Sequence, residues 1–382
     1  MKAVATCGFG LESITAYELK KTGALNVRAS DGRVYFEGGE MTVALANVCL
    51  TTAERVLIIA GEFRAQTFDE LFDGVRACSW KEFIGRNDAF PVKGYCMGSR
   101  LTSVPACQGV IKKAIVEKLK SQHGCEFLPE RGEVTVRVRF SLVKDVCTMM
   151  IDTSGDGLHK RGYRPLRTLA PIKETIASGI ADLARIRGSS RVSDPFCGSG
   201  TLVIEAAMRA AGIAPGAHRH FAGEDYGFLK DAFRRAKEEN SEPKYPDCAF
   251  QGRGSDIDPA SVEAARANAG RAGVSRYCTF SCADAMDFRA DPDEIVLINP
   301  PYGERLMDHA SALELMKGFS QRIRLYPPAG LYVISEDRDL ERVFGPADRR
   351  RKLYNGTIQC TLYMYFRNRD KVEMHKEAGG SP

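Results

Sequence analysis

The sequence predicts an α/β protein in which a mixed α/β module precedes a Rossmann-like parallel sheet with an antiparallel hairpin at its edge. From residue 191 onward short apolar segments alternate with helical ones, the pattern of a parallel sheet covered on both faces. Asn355 and Gly356 separate two strand-like segments near the end, which predicts a tight hairpin. A chain of 382 residues is also too long for one ordinary core, so at least two domains are expected.

Composition indicates a soluble globular protein. Hydrophobic residues make up 44% of the chain and charged residues 27%, which excludes a disordered chain and a fibrous repeat. Gly8, Gly10 and Glu12 interrupt any apolar run near the start, and no segment approaches membrane-spanning length. The twelve cysteines are scattered singly, without the paired spacing of a zinc site. We therefore expect a cytoplasmic protein with reduced thiols, no metal and no membrane association.

The first part of the chain predicts the mixed module. Short strands surround one helix within about the first 60 residues. A second helix opens at Ser103 and Pro105, and apolar residues recur at helical spacing until Gly124. The segment "EVTVRVRFSL" then alternates apolar and polar residues, and "VCTMMID" follows it after a turn at Lys144 and Asp145.

Basic residues are concentrated in three places, although the net charge of +5 is modest. They lie on a helix-like segment, along a strand-like segment and in "HKRGYR": Lys112, Lys113, Arg137, Arg139, Lys160, Arg161 and Arg164. Each run alone is also typical of a solvated surface. Together they favour a polyanionic partner, and we expect them to contact the phosphates of RNA.

The glycine-rich segment "DPFCGSGT" follows the first strand of the parallel sheet. Asp194 ends the strand, and Gly198 and Gly200 allow a tight turn and the close approach of a ligand. A carboxylate there would repel a pyrophosphate but attract an ammonium or a sulfonium. The third glycine of the dinucleotide fingerprint is also missing. The segment therefore favours S-adenosylmethionine over a dinucleotide.

Two further aspartates follow the next strands. Asp256 in "GSDID" is placed to accept the ribose hydroxyls, and Asp284 in "CAD" is placed to accept the adenine amino group. Asp258 precedes Pro259 and is instead predicted to cap a helix. Any one of these aspartates would also suit a cap or a turn. Together with Asp194 and the end of the fourth strand, described next, they make four matched strand ends in succession, which favours a ligand site.

The fourth strand ends abruptly on "NPPY". Pro300 and Pro301 cannot continue a ladder, because proline lacks an N–H and fixes φ. The Asn299 side-chain oxygen and the Pro300 carbonyl can both accept hydrogen bonds from a planar NH2 group, while Tyr302 stacks on the attached ring. This pattern predicts methyl transfer to an exocyclic or amide nitrogen, without a metal or a covalent nucleophile. Cys197 is accordingly predicted to be a packing residue.

Five segments closely resemble the THUMP-domain RNA methyltransferases, in particular the group of the bacterial large-subunit rRNA guanine-N2 methyltransferase. They are "LHKRGYR", "DPFCGSGTLVIEAA", "IAPG", "GSDIDPASVEAARANA" and "INPPYGERL". The likeness extends to "GFGLESITAYELK" and "KLYNGTIQC" near the two ends, so it covers nearly the whole chain. It implies a class I methyltransferase domain behind a ferredoxin-like and THUMP module that binds RNA.

The resemblance also assigns roles to residues. It places these residues at the cofactor: Asp194, Phe196, Gly198, Ser199, Gly200, Thr201, Asp256 and Asp284. It places Asn299, Pro300, Pro301 and Tyr302 at the target base. Two departures matter: Tyr226 stands where a tryptophan is expected, and the second methyltransferase domain of some relatives is missing, so one modification is expected.

The expected domains are a ferredoxin-like subdomain, a THUMP domain, a basic linker, a methyltransferase domain and a disordered tail. Their predicted bounds are 1–60, 61–155, 156–170, 171–370 and 371–382.

The resemblance implies formation of N2-methylguanosine in 23S rRNA. The residues themselves leave tRNA guanine-N2 and adenine-N6 of a nucleic acid open, because each presents a planar NH2 group. A protein glutamine is disfavoured by the basic first half, and a non-catalytic RNA-binding protein by the intact strand-end residues. A helicase or nuclease lacks support, since there is no P-loop lysine or pair of metal-binding carboxylates. No obligate protein partner is inferred.

Overall fold

The computed structural model describes residues 1–124, 132–164, 172–301, 309–337, 339–356 and 358–367. The predicted tail at 371–382 and part of the predicted linker lie outside these ranges. The chain forms two compact units. The first consists of Met1–Cys7, Glu12–Lys160 and Ala214–Ser241, and the second of Gly8–Leu11, Arg161–Ile213 and Glu242–Pro382.

Strands and helices alternate throughout the described chain. The strands are β1 (Lys2–Cys7), β2 (Leu25–Ser30), β3 (Arg33–Glu37), β4 (Ala53–Arg64), β5 (Val92–Met97), β6 (Val138–Val143), β7 (Val146–Asp152), β8 (Arg191–Asp194), β9 (Gln251–Asp256), β10 (Cys278–Cys282), β11 (Ile295–Ile298), β12 (Gly330–Ser335), β13 (Arg349–Asn355) and β14 (Ile358–Phe366). The helices are α1 (Glu12–Lys21), α2 (Glu40–Cys49), α3 (Phe68–Ala77), α4 (Val104–His123), α5 (Glu174–Leu183), α6 (Thr201–Ala211), α7 (Lys230–Glu239), α8 (Pro259–Arg271), α9 (His309–Leu325) and α10 (Leu340–Phe344).

The first unit is built on one seven-stranded sheet in the order β2-β3-β1-β4-β7-β6-β5. The strand β4 is long enough to pair with two partners: its first half pairs with β1 and its second half with β7. Residues 60 and 61, where the ferredoxin-like subdomain and the THUMP domain are predicted to meet, therefore lie inside β4, which pairs with strands of both. The pair β5 and β6 is parallel, whereas the other neighbours are antiparallel.

Helix α4 shows how local sequence sets an element of this unit. The Ser103 side chain accepts a hydrogen bond from the backbone N–H of Ala106, Pro105 lies in the first turn, and Gly124 ends the helix in the left-handed region. This matches the predicted start and stop. In the described part of the chain, no helix is long and apolar enough to span a membrane.

Residues 214–241 return to the first unit, although they lie between elements of the second. Helix α7 buries Phe233 and Ala236 in the core of the first unit, and the Phe233 and Phe221 ring centroids lie 5.4 Å apart. The buried Tyr226 hydroxyl donates to the Asp152 carbonyl (2.9 Å) and accepts from the Arg137 N–H (3.0 Å). Tyrosine therefore has a structural role at the position where a tryptophan was expected.

The second unit is built on a sheet in the order β10-β9-β8-β11-β12-β14-β13. Neighbours from β10 to β12 are parallel, and the β13-β14 hairpin adds the antiparallel edge. Asn355 pairs with Ile358 at its turn, as the Asn355-Gly356 signal predicts. Helix α6 is almost completely buried, and α9 packs Met316 and Phe319 on the same sheet. The predicted fold class is confirmed.

A short turn near the start of the chain, Gly8–Leu11, also belongs to the second unit. The Gly10 carbonyl accepts a hydrogen bond from Arg351 Nε (2.6 Å), and the Phe9 ring lies 5.5 Å from that of Tyr354. The segments "GFGLESITAYELK" and "KLYNGTIQC" therefore contact each other. Gly10 has φ of +90°, and a Cβ atom there would lie 2.3 Å from the Lys352 carbonyl oxygen.

We predict that Gly10→Ala lowers the thermal stability more than Gly23→Ala. Both glycines have positive φ, but a Cβ on Gly23 would meet no heavy atom within 4 Å. Gly23→Ala should therefore cost only the left-handed backbone strain of about 1–2 kcal/mol. In Gly10→Ala the steric overlap with the Lys352 carbonyl adds to this loss of stability. Calorimetry of both full-length variants measures the difference, and equal losses would contradict the steric explanation.

Candidate active site

The four predicted strand ends lie side by side. Strands β10, β9, β8 and β11 are consecutive in the sheet and run parallel, so their carboxyl ends meet at one edge. Asp284, Asp256, Asp194 and Asn299 follow or end these strands in that order. Adjacent strands are separated by about 4.8 Å. The chain order reverses between β8 and β11, which is where open α/β sheets bind their ligands.

The glycine loop after β8 turns sharply at two residues. Gly198 and Gly200 have φ of +49° and +82°. A Cβ on Gly200 would lie 3.0 Å from Ala265 Cβ and from the Phe280 ring, so both packing and backbone conformation require glycine there. A Cβ on Gly198 would meet nothing within 4 Å. Gly198 therefore leaves backbone accessible on the side where a ligand can approach.

Asp256 connects the glycine loop to the next strand. Its carboxylate accepts hydrogen bonds from the N–H groups of Gly198 (2.9 Å) and Asp258 (3.0 Å). The side chain is half-buried, so its remaining lone pairs can still accept hydroxyl groups. The loop and the predicted ribose acceptor are thus held in one fixed arrangement.

Asp194 is the most strongly perturbed carboxyl group of the site. It is 1% exposed, and one of its oxygens accepts from the Phe196 N–H (3.0 Å). Burial, together with the charge of Asp256, raises the pKa of Asp194 to about 8. A positively charged ligand would offset both the cost of burying the Asp194 carboxylate and its repulsion by Asp256. The acidic pair therefore fits the ammonium or sulfonium of S-adenosylmethionine and disfavours a phosphate.

Two other aspartates cap the starts of helical turns. Asp258 accepts from the N–H groups of Ala260 and Ser261 at the start of α8, and the Ser261 hydroxyl, together with these backbone bonds, lowers its pKa. This confirms the predicted cap. Asp284 is exposed and accepts from the Met286 N–H (2.8 Å) through one oxygen. Asp284 thus serves as a cap, and its exposed carboxylate also faces a cavity.

This cavity, of about 270 Å³, lies between the ends of β9 and β10 and the loop that follows β10. Its lining includes Asp194, Ser255, Ser281, Asp284 and Phe288. The walls combine an aromatic ring with hydroxyl and carboxylate groups and with the side chains of Arg253 and Arg289, as ligand pockets commonly mix apolar and polar groups.

Strand β11 ends at Ile298, immediately before the proline turn. Asn299 is half-buried and Pro300 is buried, so the start of the turn is packed against the protein interior. The rigid prolines hold this backbone at the same edge as Asp194. Tyr302 lies outside the described residues.

Two residues that the sequence did not single out, Asn268 and Arg271, hold the glycine loop. The Asn268 amide donates to the Ser199 carbonyl (3.0 Å) and is 0% exposed. Arg271 donates to the Asn268 side-chain oxygen and to the Tyr163 carbonyl, both at 2.6 Å. Asn268 and Arg271 are i and i+3 on α8, so the shared helix face was visible in the sequence. The sequence did not show that this face contacts the glycine loop.

A further residue that the sequence did not single out is Ile257, which directly follows Asp256. Its side chain is 71% exposed, an unusual position for a large aliphatic residue beside a ligand site. The only sequence signal was its place after the acidic strand end.

Family models cover both units. The model described as the RMKL-like methyltransferase domain matches residues 161–364, the RlmL ferredoxin-like domain matches 2–57, and the THUMP domain matches 65–152. A Bacillus subtilis (strain 168) protein named "Putative RNA methyltransferase YpsC" is 38% identical over 368 residues, which is 95% of each chain. The chain belongs to the RMKL-like methyltransferase family. The predicted resemblance is confirmed.

Two further comparisons extend this result. The ribosomal RNA large subunit methyltransferase K/L of Pseudomonas putida (strain W619) is 32% identical over 378 residues, 94% of this chain, although the chain spans only 51% of that protein. The crystal structure of SMU.472 in complex with SAH superposes with a TM-score of 0.89 at 35% identity, covering 96% of this chain and 98% of that one. The RMKL-like chain is an S-adenosylmethionine-dependent methyltransferase.

Two arginines expected to contact RNA form ion pairs with buried glutamates of the RMKL-like enzyme. Arg161 is buried and pairs with Glu205 (3.6 Å). Arg164 pairs with Glu174 and also donates to the Thr201 hydroxyl, both at 3.0 Å. Hence Arg161 and Arg164 do not fit a role at the RNA surface.

The other candidates for the RNA surface differ in exposure. Arg139 is half-buried and bonds to the buried Asp152 (2.6 Å). In contrast, the remaining candidates have exposed side chains: Lys112, Lys113, Arg137 and Lys160.

Two expected cofactor contacts also have structural partners. The Phe196 ring packs edge-on against Phe319, with centroids 5.0 Å apart, and the Thr201 hydroxyl accepts from Arg164. Burial raises the pKa of the Cys197 thiol, which keeps it protonated and unreactive. Across the described residues, no cluster of three or more His, Cys, Asp or Glu side chains is placed to hold a metal ion.

We predict that Asp194→Asn stabilises the free protein at high pH while it abolishes cofactor binding. A carboxyl whose folded pKa lies above the unfolded value of 3.8 loses stability as pH rises from about 4 to about 8. Asparagine removes this loss, so the Tm at pH 9 should rise by roughly 5 °C, with less change at pH 5. Thermal scans at both pH values and a titration with S-adenosylhomocysteine measure the two effects.

The matched control for Asp194 is Asp258→Asn. Its pKa is lowered by the helix cap, so its loss should reduce rather than raise the Tm at pH 9. A lower Tm for Asp194→Asn at pH 9 would contradict the assigned burial effect.

We also predict that Asn268→Asp weakens S-adenosylhomocysteine binding about tenfold, because a carboxylate oxygen would face the Ser199 carbonyl without a proton to donate. Asn240→Asp is the control, since that buried amide donates to the Ala236 carbonyl (2.8 Å) in α7 of the first unit. Both variants should lose some thermal stability, but only Asn268→Asp should change the dissociation constant of the folded protein. Calorimetric titration separates the two, and equal affinities would refute a role in positioning the loop.

Proposed function

We propose that this RMKL-like methyltransferase forms N2-methylguanosine in 23S rRNA. The observation that carries the proposal is the proline turn at Asn299–Pro301, which directly follows β11, next to the strand that ends in Asp194. A planar NH2 acceptor and a cationic methyl donor are thereby offered neighbouring sites. The relatives named as RNA and large-subunit rRNA methyltransferases support RNA as the substrate class.

Each cofactor residue has its own role under this proposal. Asp194 faces the positive end of the methyl donor, Gly198 allows the backbone to approach it, and Asp256 accepts the ribose hydroxyls. Asp284 accepts the adenine amino group at the cavity, and the exposed Ile257 packs on the adenine ring. S-adenosylmethionine supplies a methyl group that its sulfonium already activates.

The chain's contribution at the acceptor is orientation. The side-chain oxygen of Asn299 and the carbonyl of Pro300 accept both hydrogens of the NH2 group, which directs the nitrogen lone pair towards the methyl donor. Pro300 and Pro301 keep these acceptors rigid, and the role predicted from the sequence for Tyr302 is to stack on the base. The fixed arrangement stabilises developing positive charge on the nitrogen without any covalent step.

RNA would be positioned by phosphate contacts outside this acidic site. The exposed Lys112, Lys113, Arg137 and Lys160 are the members of the predicted basic set that remain accessible for this role. Such contacts fix the register of the RNA without reading its bases.

The experiment uses isotope-labelled S-adenosylmethionine with unmodified rRNA and tRNA, followed by digestion and mass spectrometry of the nucleosides. Asn299→Ala should reduce the turnover number by about 100-fold, because it removes a preorganised acceptor, and leave S-adenosylhomocysteine binding unchanged. Label in N2-methylguanosine of the large rRNA is expected. Label in N2-methylguanosine of tRNA would show that the substrate is tRNA and not rRNA. Label in N6-methyladenosine would show that the target base is adenine and not guanine.

A further inference from the structure

The two faces of the first unit's sheet differ. Val34, Phe36, Val56 and Ile58 lie on the face that packs against the helices. Alternate residues of the same strands form a separate small cluster on the other face, and this cluster consists of strand residues alone: Val4, Leu57 and Met150, with Tyr35 and Ile59 beside them. No helix contributes to this cluster, yet Val4, Leu57 and Met150 are each 4% exposed or less, so the strands and their own side chains cover the middle of this face.

This second face is strongly concave. Arg33 on β3 donates to the hydroxyl of Tyr95 on β5, and its guanidinium carbon lies 6.0 Å from the centre of that ring. The two strands are five steps apart in the order β3-β1-β4-β7-β6-β5, or roughly 24 Å along the sheet at about 4.8 Å a step. Two side chains cannot span that distance across a flat sheet. The sheet therefore curls, and we call the resulting concave face of these six strands the sheet groove.

Charge in the sheet groove favours an anion. Asp152 is occupied by two arginines, Arg55 at 2.8 Å and Arg139 at 2.6 Å. Glu37 and Glu62 accept hydrogen bonds from neutral side chains. By strand register, further cations lie on the same face: Lys2, Arg28, Arg33, Arg64 and Lys93. Positive side chains thus outnumber the carboxylates on it.

The rim of the sheet groove also exposes flat and apolar groups. Lys93, Tyr95 and Met97 alternate along the edge strand β5 and point to this face, because they pair with Arg139, Ser141 and Val143 of β6. Tyr95 is 43% exposed and Met97 60%. A basic groove with accessible aromatic rings is the pattern that binds single-stranded nucleic acid. A duplex would not offer a base face to such a ring.

We propose that the sheet groove binds an unpaired segment of the RNA, with a base stacked on Tyr95 and phosphates held by Arg33 and Lys93. The proposal rests on the proposed function, since it takes RNA as the substrate. It differs from the basic face of α4, because the groove recognises unpaired bases in addition to phosphates.

The test measures binding of a fluorescent, unstructured RNA oligonucleotide to the full chain. Tyr95→Ala should weaken binding about tenfold, in line with the loss of one stacked base. Lys93→Gln should reduce the slope of log affinity against log salt by about 0.7, the value for one phosphate contact on a single strand. Duplex RNA of the same sequence should bind more weakly to the wild type and lose nothing with Tyr95→Ala.

The chain offers a matched control on the helical side of the same unit. Tyr17 of α1 is 58% exposed, and the Lys21 ammonium lies 4.2 Å from the centre of its ring. Tyr17→Ala and Lys21→Gln remove the same groups as the test variants and should change neither affinity nor salt slope. A far-ultraviolet circular dichroism spectrum and a melting temperature equal to those of the wild type in all four variants show that each one is folded.

Three results would overturn the proposal. Tyr95→Ala could bind the oligonucleotide as the wild type does, duplex RNA could show the same loss as the single strand, or polyglutamate could compete as well as RNA does. If the wild type methylates RNA and Tyr95→Ala still binds normally, only the sheet groove is refuted. If the wild type neither binds nor methylates any RNA, the proposed function fails as well.

Discussion

The constraint on which the site depends is the parallel register of four neighbouring strands. Asp194 pairs with Gly254 across β8 and β9, and Asp256 pairs with Cys282 across β9 and β10. Because the strands run in the same direction, their functional ends are brought together without long loops. The connections then need only tight turns, which glycine provides after β8 and proline after β11.

Much of the surrounding packing supports a group that is itself unfavourable. A buried aspartate with a pKa near 8 lowers stability at neutral and alkaline pH, so its retention is best explained by ligand binding. The loop beside it is held by Asn268, and the first turn of α6 by Arg164. These contacts keep the loop in place before a ligand arrives, and a preordered site loses less entropy on binding.

Local signals account for what the sequence predicted well. The start of α4, the cap at Asp258 and the hairpin at Asn355 each depend on a few adjacent residues. Long-range packing explains what it missed. The return of residues 214–241 to the first unit leaves no periodic mark, and the basic segment around Arg161 looks the same in sequence whether it faces solvent or a buried glutamate. The curl of the first sheet was invisible for the same reason.

The two units carry opposite charges where they meet their proposed ligands. Asp194, Asp256 and Asp284 end or follow the strands, so this edge favours a cationic methyl donor over a phosphate chain. An RNA substrate could therefore present only a base there, turned out of its stack at a cost of a few kcal/mol. Its backbone must be held elsewhere, and the first unit offers positive side chains both on α4 and in the sheet groove. Under the proposed function, an acidic site for the methyl donor therefore favours a separate basic surface for the RNA backbone.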